Sequence, residues 1–175
     1  LVRDLLDLAR IEHDDEMTTT RRQRIDIGEM VRTQLERLRG PADDMGVTLS
    51  ANVPDVATVV GNPTDVRQIV VNLLENAVQY NRPGGTVTVE VARAPESLTL
   101  WVRDTGVGIP RDATDRVFER FYRVDKARSR LAGGTGLGLS IVRHAVESHG
   151  GTIRIESEVD RGTTVTVTLP VASDA

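Results

Sequence analysis

The sequence predicts an α/β (α+β) domain, a two-layer sandwich in which a mixed, mostly antiparallel sheet packs against three helices. Segments with apolar residues at alternate positions come in adjacent pairs, as in antiparallel hairpins. Segments with apolar residues three and four apart are interspersed with them. A chain of 175 residues can bury roughly 70% of its unfolded surface, which is enough for a core without disulfides. It contains no cysteine, and its net charge of −4 argues against a nucleic-acid-binding protein.

The first 22 residues are set apart from this domain. Apolar residues at helical spacing predict a helix over residues 1–16, with a stripe wide enough to need partner helices. The polar stretch that follows predicts a linker over 17–22, then the main domain over 23–171 and a tail over 172–175. Because the chain begins inside a helical pattern, we expect it to be a fragment of a longer protein.

The first half of the domain alternates between strands and helices. RIDI predicts a short strand that leads into an amphipathic helix from Gly28 to about Gly46. VTLSANV and ATVVG predict two further strands. The next helix begins at an Asn62 cap followed by Pro63, and the turn Pro83-Gly84-Gly85 stops it. Its apolar positions are 66, 69, 70, 73, 74, 77 and 78.

The second half begins with a predicted hairpin, TVTVEVA and LTLWVRD joined by APES. A short helix is predicted from about Arg111 to Phe121, followed by an irregular basic stretch through Gly134. LGLSIVRHAVESH predicts a helix that ends at Gly150, with His144 and His149 as surface or packing residues. TIRIESEV and TTVTVTLP predict a last hairpin around a DRG turn.

Polar residues form a stripe beside the apolar face of the helix that begins at Pro63. Asparagine is a mediocre helix former, because its amide competes for backbone hydrogen bonds. Amide oxygens are also neutral ligands for Mg²⁺, which keeps waters and phosphate oxygens in its shell. The stripe therefore indicates either a solvent-facing surface or a site for magnesium and phosphate, and it consists of Asp65, Gln68, Asn72, Asn76 and Gln79.

The segment GGTGLGLSIV places four glycines directly before a helix. Glycines let the backbone approach a ligand closely, and the first N–H groups of a helix attract phosphate. The segment is not a P-loop, because no Gly-Lys-Ser/Thr follows, and it is not a Rossmann fingerprint, because no strand leads into it. A flexible connector is the alternative interpretation.

The segment DTGVGI, from Asp104 to Ile109, ends a strand. An aspartic protease would need two such aspartates sharing a proton on an all-β fold, and this chain has one copy among helices. Two interpretations remain. Asp104 is either a solvated turn residue or a single carboxylate at the floor of a pocket, where it accepts a hydrogen bond from an amino group of a base.

Five basic residues lie within eleven positions before the glycine-rich segment. They are either a solvated basic loop or a lid over a polyphosphate, whose negative charges need neutralising. These residues are Arg120, Arg123, Lys126, Arg128 and Arg130.

Taken in order, these segments resemble the catalytic and ATP-binding domain of two-component sensor histidine kinases, which has the Bergerat fold. NLLENAVQY resembles the N box, DTGVGI the G1 box, FERFYR the F box and GTGLGL the G2 box. RGTTVTVTLP resembles the last sheet segment, and LVRDLLDLARIE resembles the end of the second dimerisation helix. The resemblance covers essentially the whole chain.

The resemblance implies ATP and Mg²⁺ as cofactors and assigns roles to residues. Asn76 would coordinate Mg²⁺, with Asn72 supporting the metal or the phosphates. Asp104 would accept from the adenine amino group, Tyr80 would flank the nucleotide, and Ile109 would line the adenine pocket. The other nucleotide-binding residues that the resemblance implies are Gly106, Gly108, Arg120, Arg123, Gly134, Thr135, Gly136, Leu137, Gly138 and Thr163.

Two departures from the family pattern affect the expected activity. Gln79 stands where the family often has a phosphate-binding lysine. The phosphoacceptor box is absent, since His13-Asp14 imitates only its first two residues. We therefore expect this chain to bind MgATP without phosphorylating itself.

The resemblance also implies partners and a location. The partners are a histidine-bearing dimerisation domain of the same protein and the receiver domain of a response regulator, with no nucleic acid. We expect a cytoplasmic domain of a membrane-anchored homodimer, and a single truncated helix is compatible with a monomeric fragment.

Three alternatives stay open. A water-activating ATPase of the same fold carries a glutamate base four residues before the metal-binding asparagine, where this chain has Asn72. Glu75 lies about 100° from Asn76 around the helix and is poorly placed to replace it. The others are a serine kinase of the same fold and a protein-interaction module with a degenerate nucleotide site.

Overall fold

The computed structural model describes residues 22–124 and 135–171. The predicted helix over 1–16, the linker up to residue 21 and the tail over 172–175 lie outside the described residues. The strands are β1 (Gln23–Asp26), β2 (Thr48–Asn52), β3 (Thr58–Gly61), β4 (Thr86–Arg93), β5 (Ser97–Asp104), β6 (Thr152–Glu158) and β7 (Gly162–Pro170). The helices are α1 (Ile27–Asp44), α2 (Pro63–Gln79) and α3 (Gly138–Ser148).

A five-stranded sheet with the order β2-β4-β5-β7-β6 forms one layer. The pair β2–β4 is parallel and the other three pairs are antiparallel, which confirms the predicted mixed, mostly antiparallel sheet. β1 and β3 form a separate antiparallel ribbon that the sequence did not predict. Alternation predicts that a segment is a strand, but it does not say which strand will be its neighbour.

The three helices form the second layer over one face of the sheet, and the core lies between the layers. Alternate residues of β4 and β5, such as Val87, Val89, Leu98 and Leu100, are almost completely buried. The opposite face of the sheet carries polar residues around the half-buried Trp101. This division into a buried and an open face follows from the period of two in a strand.

α2 lies at the centre of the helical layer, and local signals fix its start. The Asn62 side chain accepts a hydrogen bond from the Thr64 N–H at 2.9 Å, and Pro63 occupies the first turn, as predicted. Buried α2 residues are those at the predicted apolar positions: Val66, Ile69, Val70, Leu73, Leu74, Ala77 and Val78.

The end of α2 is fixed by Asn81, before the predicted Pro83-Gly84-Gly85 turn. Its Nδ2 donates to the carbonyls of Ala77 and Thr86, both at 3.1 Å, and its Oδ1 accepts from the Arg82 N–H. Asn81 is buried, and these bonds satisfy its amide. The helix end is thereby joined to the first residue of β4.

His149 joins the end of α3 to the start of α2. Its Nε2 accepts from the Asn62 N–H at 3.0 Å, and its Nδ1 lies 2.7 Å from the Ala145 carbonyl. A carbonyl only accepts and an amide N–H only donates, so the ring is neutral, with its proton on Nδ1. The predicted packing role of His149 is confirmed, while His144 is exposed.

The predicted helix from Arg111 to Phe121 is wrong. The structure has successive turns there and a single 3₁₀ turn over Arg116–Phe118. Most backbone bonds here span three residues, as from the Ala113 N–H to the Pro110 carbonyl and from the Arg116 N–H to the Ala113 carbonyl, and the bond from the Val117 N–H to the Ala113 carbonyl is a single α-helical one. The segment buries only Ala113 and Val117, too few apolar contacts to hold a helix of this length. No helix within the described residues is long and apolar enough to cross a membrane.

Candidate functional site

A cavity of about 680 Å³ opens between α2, the loop after β5, the ends of β6 and β7, and the start of α3. This volume is typical of a small-molecule site. Most residues predicted from the sequence line it: Asn72, Asn76, Gln79, Tyr80, Asp104, Gly108, Ile109, Arg123, Thr135, Gly136, Gly138 and Thr163.

Asp104 is the last residue of β5 and lies opposite Thr163 of β7 in the sheet register. Its Oδ1 accepts from the Gly106 N–H at 2.8 Å and from the Thr163 N–H at 3.2 Å. Burial raises the pKa of this carboxyl, and the two backbone hydrogen bonds offset only part of that rise. Because both bonds go to Oδ1, Oδ2 is the oxygen that a ligand can use.

The loop after Asp104 is fixed between α2 and the turn that joins β6 to β7. The Val107 N–H donates to the Tyr80 carbonyl at 3.1 Å, and the Val107 carbonyl accepts from the Asp160 N–H at 2.9 Å. Gly108 has φ 68°, and a side chain there would collide with the Glu158 carbonyl. Only glycine fits this position without strain, so the close approach of the loop to the β6–β7 turn requires it.

The amide stripe of α2 faces the start of α3. Asn72 Nδ2 donates to the Gln68 carbonyl at 2.9 Å, which leaves Asn72 Oδ1 as an acceptor. A Cβ added at Gly138 would lie 2.9 Å from Asn72 Oδ1 and 3.7 Å from Asn76 Nδ2, so both asparagines approach the helix closely. No side chain caps the start of α3 within the described residues, which leaves its first N–H groups for an anion.

This donor set fits a magnesium ion that arrives with its phosphates. The described residues contain no group of three or more His, Cys, Asp or Glu side chains that could hold a metal alone. Mg²⁺ keeps several waters and is commonly bound through substrate phosphates with few protein ligands. One or two amide oxygens beside a helix N-terminus meet that requirement.

Arg123 brings a positive charge to the wall of the cavity. Its Nε and Nη2 atoms are buried and have no hydrogen-bond partner within residues 22–124 and 135–171. The backbone nearby is held by a bond from the Phe121 N–H to the Gly136 carbonyl at 2.9 Å. Buried N–H groups of a guanidinium that lack an acceptor are unfavourable, so an anionic ligand beside these two nitrogens would satisfy them.

The remaining predicted residues lie elsewhere. Arg120 is exposed and is not part of the cavity wall, and Leu137 is fully buried. Gly106 contributes its N–H to Asp104 and does not line the cavity. Gly134 lies outside the described residues.

The structure also places residues at the site that the sequence did not single out. Leu38, Pro41 and Met45, at the end of α1, line one side of the cavity. The Ser157 hydroxyl accepts from the Ile109 N–H at 2.8 Å. Neither contribution has a local sequence signal, because each depends on which elements pack together.

Comparison with known protein families agrees with this fold and cavity. The family model described as "Histidine kinase-, DNA gyrase B-, and HSP90-like ATPase" matches residues 61–173, which is more than half of the chain. The chain therefore belongs to this family and binds ATP as its members do.

Relatives narrow the class to sensor histidine kinases. The sensor-like histidine kinase SenX3 of Mycolicibacterium smegmatis is 33% identical over 174 residues, which are 99% of this chain and 45% of SenX3. A solved structure of the mycobacterial sensor histidine kinase MprB is 32% identical, with a TM-score of 0.74, over 85% of this chain and 97% of that one. Full-length ShkA, solved in complex with AMPPNP, is 27% identical with a TM-score of 0.82, over 99% of this chain and 36% of that one.

These comparisons agree with the predicted class and fold. The chain is an ATP-binding catalytic domain of the sensor histidine kinase type, with the predicted two-layer architecture. It spans less than half the length of the curated relatives that it matches.

Proposed function

We propose that this domain holds MgATP in the cavity and donates the γ-phosphate to a histidine on a dimerisation domain of the same protein. The phosphate then passes to an aspartate on the receiver domain of a response regulator. The observation that carries this proposal is the pairing, in one cavity, of the half-buried Asp104 carboxylate with Arg123, whose Nε and Nη2 atoms are buried without a hydrogen-bond partner among the described residues. The amino group of a purine can donate a hydrogen bond to the Asp104 carboxylate, and a polyphosphate can accept hydrogen bonds from the Arg123 guanidinium.

The base would lie against the ends of β5 and β7. Asp104 Oδ2 accepts a hydrogen bond from the adenine 6-amino group, since Oδ1 already accepts two backbone hydrogen bonds. Ile109 and Tyr80 line the cavity and supply apolar surface for the ring. Thr163 lies beside Asp104 and contributes a hydroxyl.

The phosphates would lie between α2, Arg123 and the start of α3. Asn76, with Asn72 as a second ligand, would hold Mg²⁺, which supplies charge neutralisation to the phosphate oxygens. Arg123 and the first N–H groups of α3 hold the remaining phosphate charge. Gln79 lines the cavity without the positive charge that the family often has there.

The domain's contribution to the reaction would be orientation and neutralisation. A neutral imidazole nitrogen attacks the γ-phosphorus in line, a P–N bond forms, and the P–O bond to ADP breaks. Most of the catalytic effect in phosphoryl transfer comes from positioning and electrostatic stabilisation, which this cavity can supply. Histidine suits the acceptor role because it is largely neutral at pH 7.

We expect Asn76→Ala to remove most of the magnesium dependence of nucleotide binding. The wild-type domain should bind a fluorescent ATP analogue at least about tenfold more tightly with Mg²⁺ than with EDTA, because Asn76 would hold the ion, which would neutralise phosphate charge. The Asn76→Ala variant should bind equally weakly in both conditions. An unchanged magnesium effect in that variant would contradict the assigned ligand, and Asn52→Ala on the edge strand is the matched control.

The chain alone should not form phosphohistidine, because it has no phosphoacceptor box. Mixed with a histidine-bearing dimerisation domain and radiolabelled ATP, it should transfer label that is acid-labile and base-stable. Acid-labile, base-stable label on the chain in the absence of the dimerisation domain would contradict the proposal. Binding of ATP with no transfer of label in the mixture would also contradict it.

Hydrolysis of ATP by water is the competing reaction within this family. A glutamate base is replaced by Asn72, and Asn72 uses its amide to bond the Gln68 carbonyl. Glu75 lines the cavity, but its Oε1 lies 3.4 Å from Gln34 Nε2 of α1. Steady-state hydrolysis that disappears in Glu75→Gln would favour the ATPase alternative.

The domain boundaries and the setting are part of the same proposal. Residues 1–16 are the end of the second dimerisation helix, 17–22 are the linker and 23–171 are the catalytic unit. The whole protein is a homodimer, in which this domain faces the cytoplasm beside a membrane-anchored sensor. The resemblance to sensor histidine kinases supports this arrangement, and the partial coverage of longer relatives supports only that the whole protein is longer than this chain.

A further inference from the structure

Three strands place one polar residue each in a single row at the floor of the cavity. Asp104 of β5 is opposite Thr163 of β7, and Thr163 is opposite Ser157 of β6. All three are half-buried, and Asp104 and Thr163 line the cavity. Ser157 lies beside Thr163 on β6 and does not line the cavity.

The Ser157 hydroxyl makes three close contacts. It accepts from the Ile109 N–H at 2.8 Å, donates to the Gly162 carbonyl at 2.9 Å, and lies 2.9 Å from Thr163 Oγ1. A serine hydroxyl has one proton and two lone pairs. These contacts therefore use its full hydrogen-bonding capacity.

The direction of the third contact follows from the first two. An amide N–H can only donate and a carbonyl can only accept, so the Ser157 proton goes to Gly162 and one lone pair takes the Ile109 N–H. The remaining lone pair can only accept, which makes Thr163 the donor to Ser157. With its proton held there, the Thr163 hydroxyl presents only lone pairs to a ligand.

The floor of the cavity then contains acceptors alone. Asp104, which already takes two backbone N–H groups, is an acceptor as a carboxylate, and Thr163 is an acceptor because Ser157 holds its proton. Two neighbouring acceptors favour a base that presents an amino group and disfavour one that presents a carbonyl oxygen at the same place. A 6-oxygen placed there would leave the acceptors of Asp104 and Thr163 without a donor. Unpaired buried polar groups are costly, so a site of this kind discriminates strongly between the two bases.

We propose that Ser157 is a positioning residue for base selection: it fixes the Thr163 hydroxyl as an acceptor and holds the Ile109 backbone, so that the cavity prefers 6-amino to 6-oxo purines. This inference rests on the proposed function, since it assumes that the base lies at Asp104. Ser157 itself does not touch the ligand.

The test compares ATP with inosine triphosphate, which carries a 6-oxygen in place of the amino group, by equilibrium titration in Mg²⁺. In Ser157→Ala the Thr163 hydroxyl is free to rotate and donate. ATP binding should weaken by about tenfold, which corresponds to the loss of roughly one buried hydrogen bond. Inosine triphosphate binding should stay unchanged or improve, and the ATP preference should return in Ser157→Thr, which keeps the hydroxyl.

Ser50→Ala is the matched control. Ser50 lies on the edge strand β2, outside the cavity wall, and its Oγ bonds Thr88 Oγ1 at 3.0 Å. It should leave both affinities unchanged. If Ser157→Ala does not fold, Ser157→Cys is measured in the same way, because its thiol is a weak acceptor and should also lower the preference.

The outcomes separate the inference from the proposed function. Equal weakening of both nucleotides in Ser157→Ala, or an unchanged preference, would overturn the role of Ser157 while ATP binding by the wild type stands. Failure of the wild type to bind ATP would overturn the proposed function, and the inference with it. A drop in the ATP preference that Ser157→Thr restores would support both.

Discussion

A variant in which Asp104 is replaced by asparagine should bind ATP about 100-fold more weakly, while its ligand-free form should be at least as stable as the wild type. In the wild type, Asp104 Oδ2 is the acceptor for the adenine amino group. In the variant, an amide NH₂ group, which is a donor, can occupy its place. It keeps an oxygen for the N–H groups of Gly106 and Thr163, so the loop after β5 retains its hydrogen bonds. It also removes a buried charge.

The Asp104 carboxyl should also make the free energy of unfolding of the ligand-free domain depend on pH. Burial raises the pKa of Asp104 above its ordinary value of 3.8, so the native state holds this proton more tightly than the unfolded state. The stabilisation is fully present below pH 3.8 and is lost as the pH rises through the raised pKa. At neutral pH the charged form therefore lowers the free energy of unfolding, and Asp104→Asn removes that cost.

Two measurements check this prediction. Thermal melts of ligand-free wild type and Asp104→Asn should converge towards acid pH and separate towards neutral pH, with the variant the more stable. ATP titrations of the wild type should weaken as the pH falls through the raised pKa. Asp112→Asn, an exposed position outside the cavity, is the control for loss of charge. An Asp104→Asn variant that is less stable and binds ATP normally would contradict both roles.

Replacing Arg123 with methionine should weaken the binding of the phosphates and leave the binding of the base unchanged. We expect ATP to bind roughly 10- to 100-fold more weakly, as the loss of one or two charged hydrogen bonds predicts. Binding of adenosine should change by less than about twofold, because a nucleoside has no charge for Arg123 to neutralise. The ligand-free domain should gain stability, since methionine replaces the flexible aliphatic part of the side chain and has no buried N–H groups without a partner.

Calorimetric titration of both ligands and melts of the ligand-free proteins provide the measurement. Arg111→Met is the control, because Arg111 is exposed and lies outside the cavity wall. Equal losses for ATP and adenosine would place Arg123 at the base or in a purely structural role. A marked loss of stability would show that its guanidinium already has a partner.

Local signals in the sequence were sufficient for most of the fold. The start of α2 was predicted to the residue, because an asparagine cap, a proline and an apolar period of 3.6 all lie within a few positions. The helix predicted after Ile109 is absent because this segment lacks such signals. Its run of helically spaced apolar residues is too short to specify an α-helix, and mostly hydrogen bonds between residues three apart form there.

The site could be predicted only as far as its residues lie within contiguous motifs. Asp104, Asn76 and Gly138 belong to such motifs, and the structure brings them to one cavity. Ser157 and His149 act through hydrogen bonds to residues 48 and 87 positions away, and a periodic pattern carries no information about such partners. Arg120 and Arg123 are neighbours in one basic run, and packing alone determines that Arg123 lines the cavity while Arg120 does not.

The order of strands has a consequence for how the chain acquires its structure. β7 is the last strand of the domain, yet it lies inside the sheet, between β5 and β6. During synthesis, β5 therefore has an unpaired edge until residues near the end of the domain have left the ribosome. Such non-local pairing slows folding, and exposed strand edges promote aggregation. A domain of this topology should depend on the rest of its own polypeptide, or on chaperones, to protect the open edge of β5 until β7 arrives.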